Sequence, residues 1–222
     1  MIVAVDGPSG AGKSTVCRTV AQSLGFSLLD TGALYRCVAL LAGRGDVELN
    51  DAERLGEIAA RLEVVFEPGG ERVWLNGEDV TTAIRTHDVS SRVSPISAHP
   101  SVRDALLDVQ RGLGKSGQTI VEGRDIGTVV FPDADLKVYF TASSASRARR
   151  RCEELENRGE TVDYEAVLAA IEARDERDSQ REVAPLTRAA DAVLLDTTEL
   201  NFDQACDALA TLIQSASPAL KS

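Results

Sequence analysis

Apolar residues come in short blocks whose spacing changes along the chain. Ile2-Val3-Ala4-Val5 is a compact run ending in a glycine-rich loop, the pattern of a strand buried in a parallel sheet. Val16, Val20, Ala21 and Leu24 recur at helical spacing, and Gly25 closes the run. Ser27-Leu28-Leu29 predicts a second strand, followed by Asp30-Thr31-Gly32 and a helix through Val38 and Leu41. Residues 51–62 place Leu55, Ile58, Ala59 and Leu62 on one helical face. The period then shortens to two. Leu62, Val64 and Phe66, the turn Pro68-Gly69-Gly70, then Val73-Trp74-Leu75 and Asn76-Gly77 predict an antiparallel hairpin patch. After Pro100, Ser101-x-x-Asp104 predicts a helix start, with Val102, Leu106, Val109 and Leu113 on one face. Thr119-Ile120-Val121, Leu136-Lys137-Val138-Tyr139-Phe140 and Ala192-Val193-Leu194-Leu195 predict three more core strands. Two charged helices, 144–158 and 164–181, meet across Gly159; a last helix spans 202–214, and 215–222 is expected to fray.

Strands alternating with helices predict an α/β fold, a parallel sheet wound on both faces, with the hairpin patch as an inserted subdomain. Ligands of such sheets bind beyond the carboxyl ends of the strands. The segments to search are therefore 6–14, 30–36, 122–128, 141–158 and 196–200.

Composition narrows the chemistry. The 222 residues fit one domain, and a net charge of −11 argues against a nucleic-acid partner. No apolar run approaches the ~20 residues that span a bilayer, and the first residues do not read as a secretory signal, so no membrane partner is expected. Cys17, Cys37, Cys152 and Cys206 form no C-x-x-C, and His87 and His99 lie apart from them. That argues against a zinc site and for a reduced, cytoplasmic protein whose chemistry is neither thiol- nor imidazole-based. With no long exposed apolar stripe, a monomer is the default. Of the 24 basic residues only Lys13, Lys115, Lys137 and Lys221 are lysines, which leaves 20 arginines. Arginine forks grip phosphate two oxygens at a time.

Gly7-Pro8-Ser9-Gly10-Ala11-Gly12-Lys13-Ser14 matches G-x-x-x-x-G-K-[ST] between a predicted strand and a predicted helix. Glycines let successive N–H groups turn inward around an anion, and the helix N-terminus adds partial positive charge. Lys13 is expected on the β- and γ-phosphates of ATP. A hydroxyl from Ser14 or Thr15 is expected on Mg²⁺, with Ser14 the motif position. No D-x-x-G, N-K-x-D or L-S-G-G-Q occurs, which leaves mainly small-molecule kinases. Arg147, Arg151 and Arg158 share a helical stripe with Arg150 beside it, and Arg174, Asp178 and Arg181 stand at i, i+4, i+7. Two short helices around a glycine turn would make a mobile cover carrying cations. From these residues alone, three readings stay open: a kinase for a nucleoside monophosphate, a kinase for another acceptor, and a nucleotide-binding module without transfer.

Four segments taken together resemble the bacterial cytidylate kinase family: Gly7 to Ser14, Asp30-Thr31-Gly32-Ala33-Leu34-Tyr35-Arg36, Glu122-Gly123-Arg124-Asp125 through Ala134, and Arg174-Asp175-Glu176-Arg177-Asp178 through Leu186. The resemblance implies an adenylate-kinase-like core with five parallel strands, about 1–35, 100–146 and 182–215. It implies a monophosphate-binding insert at about 36–99 and a lid at about 147–165. It implies transfer of the γ-phosphoryl group of ATP to CMP or dCMP with Mg²⁺. Thr31, Arg36 and Arg124 would hold the acceptor phosphate. Ser94, Arg103 and Asp125 would read cytosine, and Arg174 and Asp178, with Ser94, would meet the sugar. Arg181 and the lid arginines Arg147, Arg150 and Arg151 would meet the transferring group. Thr31 stands where serine is common in the family, and Glu122 where aspartate is common.

The chemistry agrees with the residue inventory. A phosphate monoester has its second pKa near ~6, so the nucleophile is already an anion at neutral pH and needs no general base. Alignment and charge neutralisation must then carry the reaction.

Overall fold

The structure is a computed structural model that describes residues 1–67, 71–115, 117–157 and 159–217. The Pro68-Gly69-Gly70 turn, Arg158 and residues 218–222 of the expected tail lie outside the described residues. Five parallel strands form the main sheet: β1 (Ile2–Asp6), β2 (Ser27–Asp30), β6 (Thr119–Gly123), β7 (Leu136–Thr141) and β8 (Val193–Asp196), in the order β2-β6-β1-β7-β8. Between them in sequence run α1 (Lys13–Leu24), α2 (Thr31–Arg44), α3 (Ala52–Ala60), α4 (His87–Ile96), α5 (Pro100–Gly114), α6 (Ser144–Glu156) and α7 (Tyr164–Ser179); α8 (Phe202–Ala216) follows the sheet. A second sheet, β3 (Val64–Phe66), β4 (Val73–Leu75) and β5 (Glu78–Asp79), is antiparallel. Among the described residues no helix is long and apolar enough to cross a membrane.

Strand alternation divides the core. Val3, Val5, Ile120, Val138 and Phe140 pack with Val16, Val20, Leu209 and Ile213 of α1 and α8. Ala4, Leu29 and Val121 face the other way, onto Ile126, Val130 and Phe131. A third cluster joins α2, α5 and the small sheet through Leu34, Val38, Leu55, Leu75, Ile96 and Leu106. Parallel register brings Asp6, Asp30 and Glu122 to one edge, with Asp6 opposite Gly123 and Asp30 opposite Glu122.

Several expectations change. The Val193-Leu194-Leu195 strand was expected in the core, yet β8 is the sheet edge, and Val193 and Leu194 are 40% and 49% exposed. Apolar content alone does not tell an edge from a centre. Ser101 does not cap α5: His99 occupies the cap position, and the Ser101 hydroxyl donates to the Ala52 carbonyl at 2.6 Å. The 164–181 helix ends at Ser179, so Arg181 lies beyond it. Instead of fraying from 215, α8 runs through Ala216 and Ser217 is buried. Sequence reading missed α4, β5 and a single π-helical turn at Ile126–Val130. The α4 segment is serine-rich and carries Pro95 in its last turn, which hides its period.

Candidate active site

The loop between β1 and α1 forms one half of the site. Gly10 and Gly12 take positive φ, 75° and 89°, as a ring of inward N–H groups requires. Gly7 has no room for a side chain, because a Cβ there would lie 1.8 Å from the Phe140 carbonyl oxygen. Buried Lys13 donates from Nζ to the carbonyls of Gly7 and Pro8, at 2.8 and 2.7 Å. Burial pushes its pKa down, Arg124 adds to this, and Glu122 is the largest opposing charge. The ammonium is therefore held ready inside the loop, at an electrostatic cost that an anion would remove.

Ser14 and Thr15 separate cleanly. The Ser14 hydroxyl donates to Glu122 Oε2 at 3.0 Å, whereas Thr15 is exposed. The other oxygen, Glu122 Oε1, is buried and has no hydrogen-bond partner among the described residues. Burial pushes the Glu122 carboxyl up to about 7, with Asp30 adding to the shift. A hydroxyl beside an unsatisfied carboxylate oxygen is a hard-oxygen donor set that fits a hydrated Mg²⁺. Sequence reading noted Glu122 only as a departure from a pattern; its place at the carboxyl end of β6 was the available signal.

The second half of the site gathers around one carboxylate. Buried Asp178 accepts from Arg124 Nε at 3.1 Å, from the Ser94 hydroxyl at 3.2 Å and from Arg181. Burial pushes its carboxyl up, but Arg124, Arg181 and Arg174 outweigh that and hold it below the usual range. Arg174 lies in the same cluster. Burial lowers its pKa to about 10, Arg124, Arg36 and Arg181 add to this, and its buried Nε has no hydrogen-bond partner among the described residues. Arg36 donates to the Ser90 hydroxyl at 2.7 Å and to the Ile84 carbonyl, so it meets only neutral partners. Its guanidinium is also pushed down by burial, with Arg85, Arg124 and Arg151 adding to this against Asp30. Cations so crowded lack sufficient counter-charge.

Beside this cluster, Arg103 and Asp125 form a buried ion pair, and Arg103 also donates to the Ser97 carbonyl at 3.1 Å. The guanidinium carbon of Arg103 stands 5.7 Å from the centre of the Tyr35 ring. Tyr35, Arg103, Leu107, Asp125 and Val130 line a cavity of about 40 Å³. The Thr31 hydroxyl donates to the Glu122 carbonyl at 2.8 Å and so sits between the two halves.

The arginines of α6 behave differently from one another. Arg147 is buried and donates to the carbonyls of Ala142 and Ser9, at 2.9 and 3.0 Å, and to Asp175 at 2.5 Å. Arg150 donates to the carbonyls of Ala11 and Thr197, at 3.2 and 2.6 Å. Arg151 pairs with Glu154 one turn on, at 2.9 Å, with 36% of its side chain exposed. Helical spacing groups residues 147, 150 and 151; the structure fastens the first two to the loop after β1 and leaves the third on the surface of α6.

A phosphate-loop motif and a buried arginine cluster at the carboxyl edge of a β2-β6-β1-β7-β8 sheet are the marks of a P-loop nucleoside monophosphate kinase. A family model described as cytidylate kinase matches residues 3–215. A cytidylate kinase of Cupriavidus necator is 50% identical over 204 residues, covering 92% of this chain and 91% of that protein. One of Syntrophotalea carbinolica is 47% identical over 215 residues, covering 96% and 92%. The chain belongs to the cytidylate kinase family, and it transfers the γ-phosphoryl group of ATP to CMP or dCMP. Among solved structures, an uncharacterized protein from Eubacterium ventriosum has a TM-score of 0.53 at 13% identity, covering 97% of this chain and 99% of that one, which speaks to the fold alone.

Proposed function

We propose how the residues of this site divide that reaction. Gly7, Pro8, Ser9, Gly10, Ala11 and Gly12 cradle the triphosphate with backbone N–H groups, Lys13 neutralises its β- and γ-phosphates, and Thr15 faces the nucleotide. Ser14 holds Mg²⁺, with Glu122 accepting from its water shell. When bound, the metal neutralises charge on the β- and γ-oxygens. Thr31, Arg36, Arg124 and Arg174 take the acceptor phosphate, and Arg174 with Asp178 and Ser94 also meets the sugar. Ser94, Arg103 and Asp125 read the base. A carboxylate accepts from the exocyclic amino group of cytosine and repels the carbonyl that uracil presents there. Arg181 and Arg151 neutralise the group in flight, while Arg147 and Arg150 hold the donor loop in shape. The work is alignment and electrostatics throughout.

The observation that carries this reading is the buried Nε of Arg174, unpartnered among the described residues, in the company of Arg36, Arg124 and Arg181. A cluster of like charges is stabilised when a dianion enters it. We further propose that 36–99 acts as the acceptor-binding insert, 147–165 as the lid and the remainder as the core, and that the chain works as a cytoplasmic monomer. Its four free cysteines support a reducing compartment. Steady-state assays with CMP, dCMP, UMP and AMP test the assignment. Asp125→Ala is expected to lower kcat/KM for CMP about 10²–10³-fold with ATP affinity unchanged. Unchanged CMP turnover in that variant would show that another residue reads the base.

A further inference from the structure

Two charged residues outside the substrate-contacting set converge on the turn that follows Arg124 and Asp125. Asp6, the last residue of β1, is buried, and its two carboxylate oxygens accept from the backbone N–H groups of Ile126 and Gly127, each at 2.8 Å. At the other end, half-buried Arg111 of α5 donates from Nε to the Val130 carbonyl at 3.1 Å and from its terminal nitrogen to the Val129 carbonyl at 3.2 Å. An anion thus meets the free N–H end of a helical turn and a cation meets its free carbonyl end.

The turn needs such help. It spans five residues, Ile126–Val130, and its own bonds run from Val129 N and Val130 N to the Asp125 carbonyl and from Phe131 N to the Ile126 carbonyl. One isolated helical turn fixes many dihedrals for few hydrogen bonds and does not hold by itself. It is seated tightly: a Cβ on Gly127 would lie 3.1 Å from Lys137 Cδ and 3.4 Å from Asp6 Oδ2. The two braces also belong to the rest of the site. Asp6 directly precedes Gly7, so the strand end that starts the donor loop also clamps the acceptor turn. The helix that supplies Arg111 also supplies Arg103, the partner of Asp125.

We propose that Asp6 and Arg111 are positioning residues for acceptor recognition: by bracing the Ile126–Val130 turn from both ends, they fix Arg124 and Asp125 and so set the affinity and base selectivity for the pyrimidine monophosphate. This rests on the reading of Arg124 and Asp125 as acceptor-binding groups. Neither brace touches the reacting atoms. Arg111 bears on the turn alone, whereas Asp6 also borders Gly7 and offsets the charge of Lys13, so the Arg111 variants are the ones that leave the donor loop intact.

The test compares Asp6→Asn, Arg111→Met, Arg111→Lys and the double variant Asp6→Asn/Arg111→Met with the wild type. The measurements are kcat and KM for CMP and UMP, ATP affinity by calorimetry, and the denaturation midpoint. Asp6→Asn turns one acceptor into a donor facing an N–H, and Arg111→Met removes both carbonyl contacts. Each is expected to raise KM for CMP about tenfold to a hundredfold and to lower the CMP-to-UMP ratio of kcat/KM about tenfold, with kcat changing less and, for Arg111→Met, ATP affinity unchanged. Arg111→Lys restores part of the loss, since one ammonium reaches one carbonyl but lacks the fork. The double variant loses less than the product of the singles, because a turn already released has little left to lose. Leu209→Ala, at a buried core position of α8, supplies a comparison that lowers stability and leaves the CMP-to-UMP ratio alone. Brace variants whose ratio follows Leu209→Ala, or Arg111 variants whose ATP affinity falls in step with KM for CMP, would overturn the proposal. If Asp6→Asn does not fold, the two Arg111 variants decide by the same ratio. Asp125→Ala separates the levels: an unchanged ratio there sinks the reading of Asp125 and the brace with it, whereas a lowered ratio there beside unchanged brace variants sinks the brace alone.

Discussion

The arginines of this protein fall into two groups that look alike in sequence and differ in what surrounds them. Arg147 and Arg150 spend their donors on backbone carbonyls of the donor loop and of the loop after β8, and Arg147 adds a carboxylate. Arg36, Arg124, Arg174 and Arg181 crowd one another, and Asp178 is the buried carboxylate that Arg124 and Arg181 share. The first group is satisfied and holds shape. The second is undersupplied with negative charge and gains by receiving an anion.

The largest effect expected from this contrast lies at Asp178. Asp178→Asn leaves Arg124, Arg174 and Arg181 facing each other without a counter-charge, and about 3–5 kcal/mol of stability should disappear in urea denaturation at neutral pH. The gap has a pH signature. The folded carboxyl titrates below its ordinary 3.8, so its stabilising share is present above 3.8 and lost as pH falls through the folded value. Denaturation curves of wild type and Asp178→Asn should therefore converge in acid. A constant gap down to the lowest pH would show that Asp178 acts through packing and hydrogen bonds alone.

Next comes the exchange test between the groups. Arg174→Met should lower kcat/KM for CMP about 10²–10³-fold while stability holds or rises, since one of the repelling cations is gone. Arg147→Met should do the reverse, costing about 3 kcal/mol of stability through the orphaned Asp175 and loop carbonyls, with KM for CMP little changed. If the two variants showed each other's phenotypes, the division would fail. A smaller effect is the stabilisation of the ligand-free protein by CMP. At a hundred times Kd it should reach about 2.7 kcal/mol, and at the same concentration Arg174→Met should lose most of it. Smallest is Arg151→Gln: its exposed pair with Glu154 contributes about 1 kcal/mol at most, so stability should hold while kcat falls about tenfold at unchanged KM for CMP.

Much of the donor half was legible in the sequence because its parts are contiguous. A strand, a glycine loop, Lys13 and Ser14 lie within fourteen residues, and backbone geometry alone builds the anion cradle. The different surroundings of Ser14 and Thr15 were not legible, since the Ser14 hydroxyl meets Glu122, 108 positions away. The acceptor half was legible as a set of residue types and, through the family resemblance, as named positions. Its electrostatic state was not, because Ser94, Arg124 and Asp178 come from α4, the loop after β6 and α7. The π-helical turn and its braces were also hidden, since a five-residue turn held from outside has no period of its own.

The sequence by itself determined the alternation of strands and helices, the donor loop and the stock of arginines. Hydrophobic period and local backbone freedom act over a few residues, and they leave their mark there. Only the tertiary structure decided which of those arginines would be saturated and which left short of charge. Helical spacing shows that Arg147 and Arg151 share a face, but the carbonyl that satisfies Arg147 belongs to Ser9, 138 positions away. Whether a buried cation holds shape or awaits a ligand depends on the acceptors that folding brings to it, and those come from distant parts of the chain.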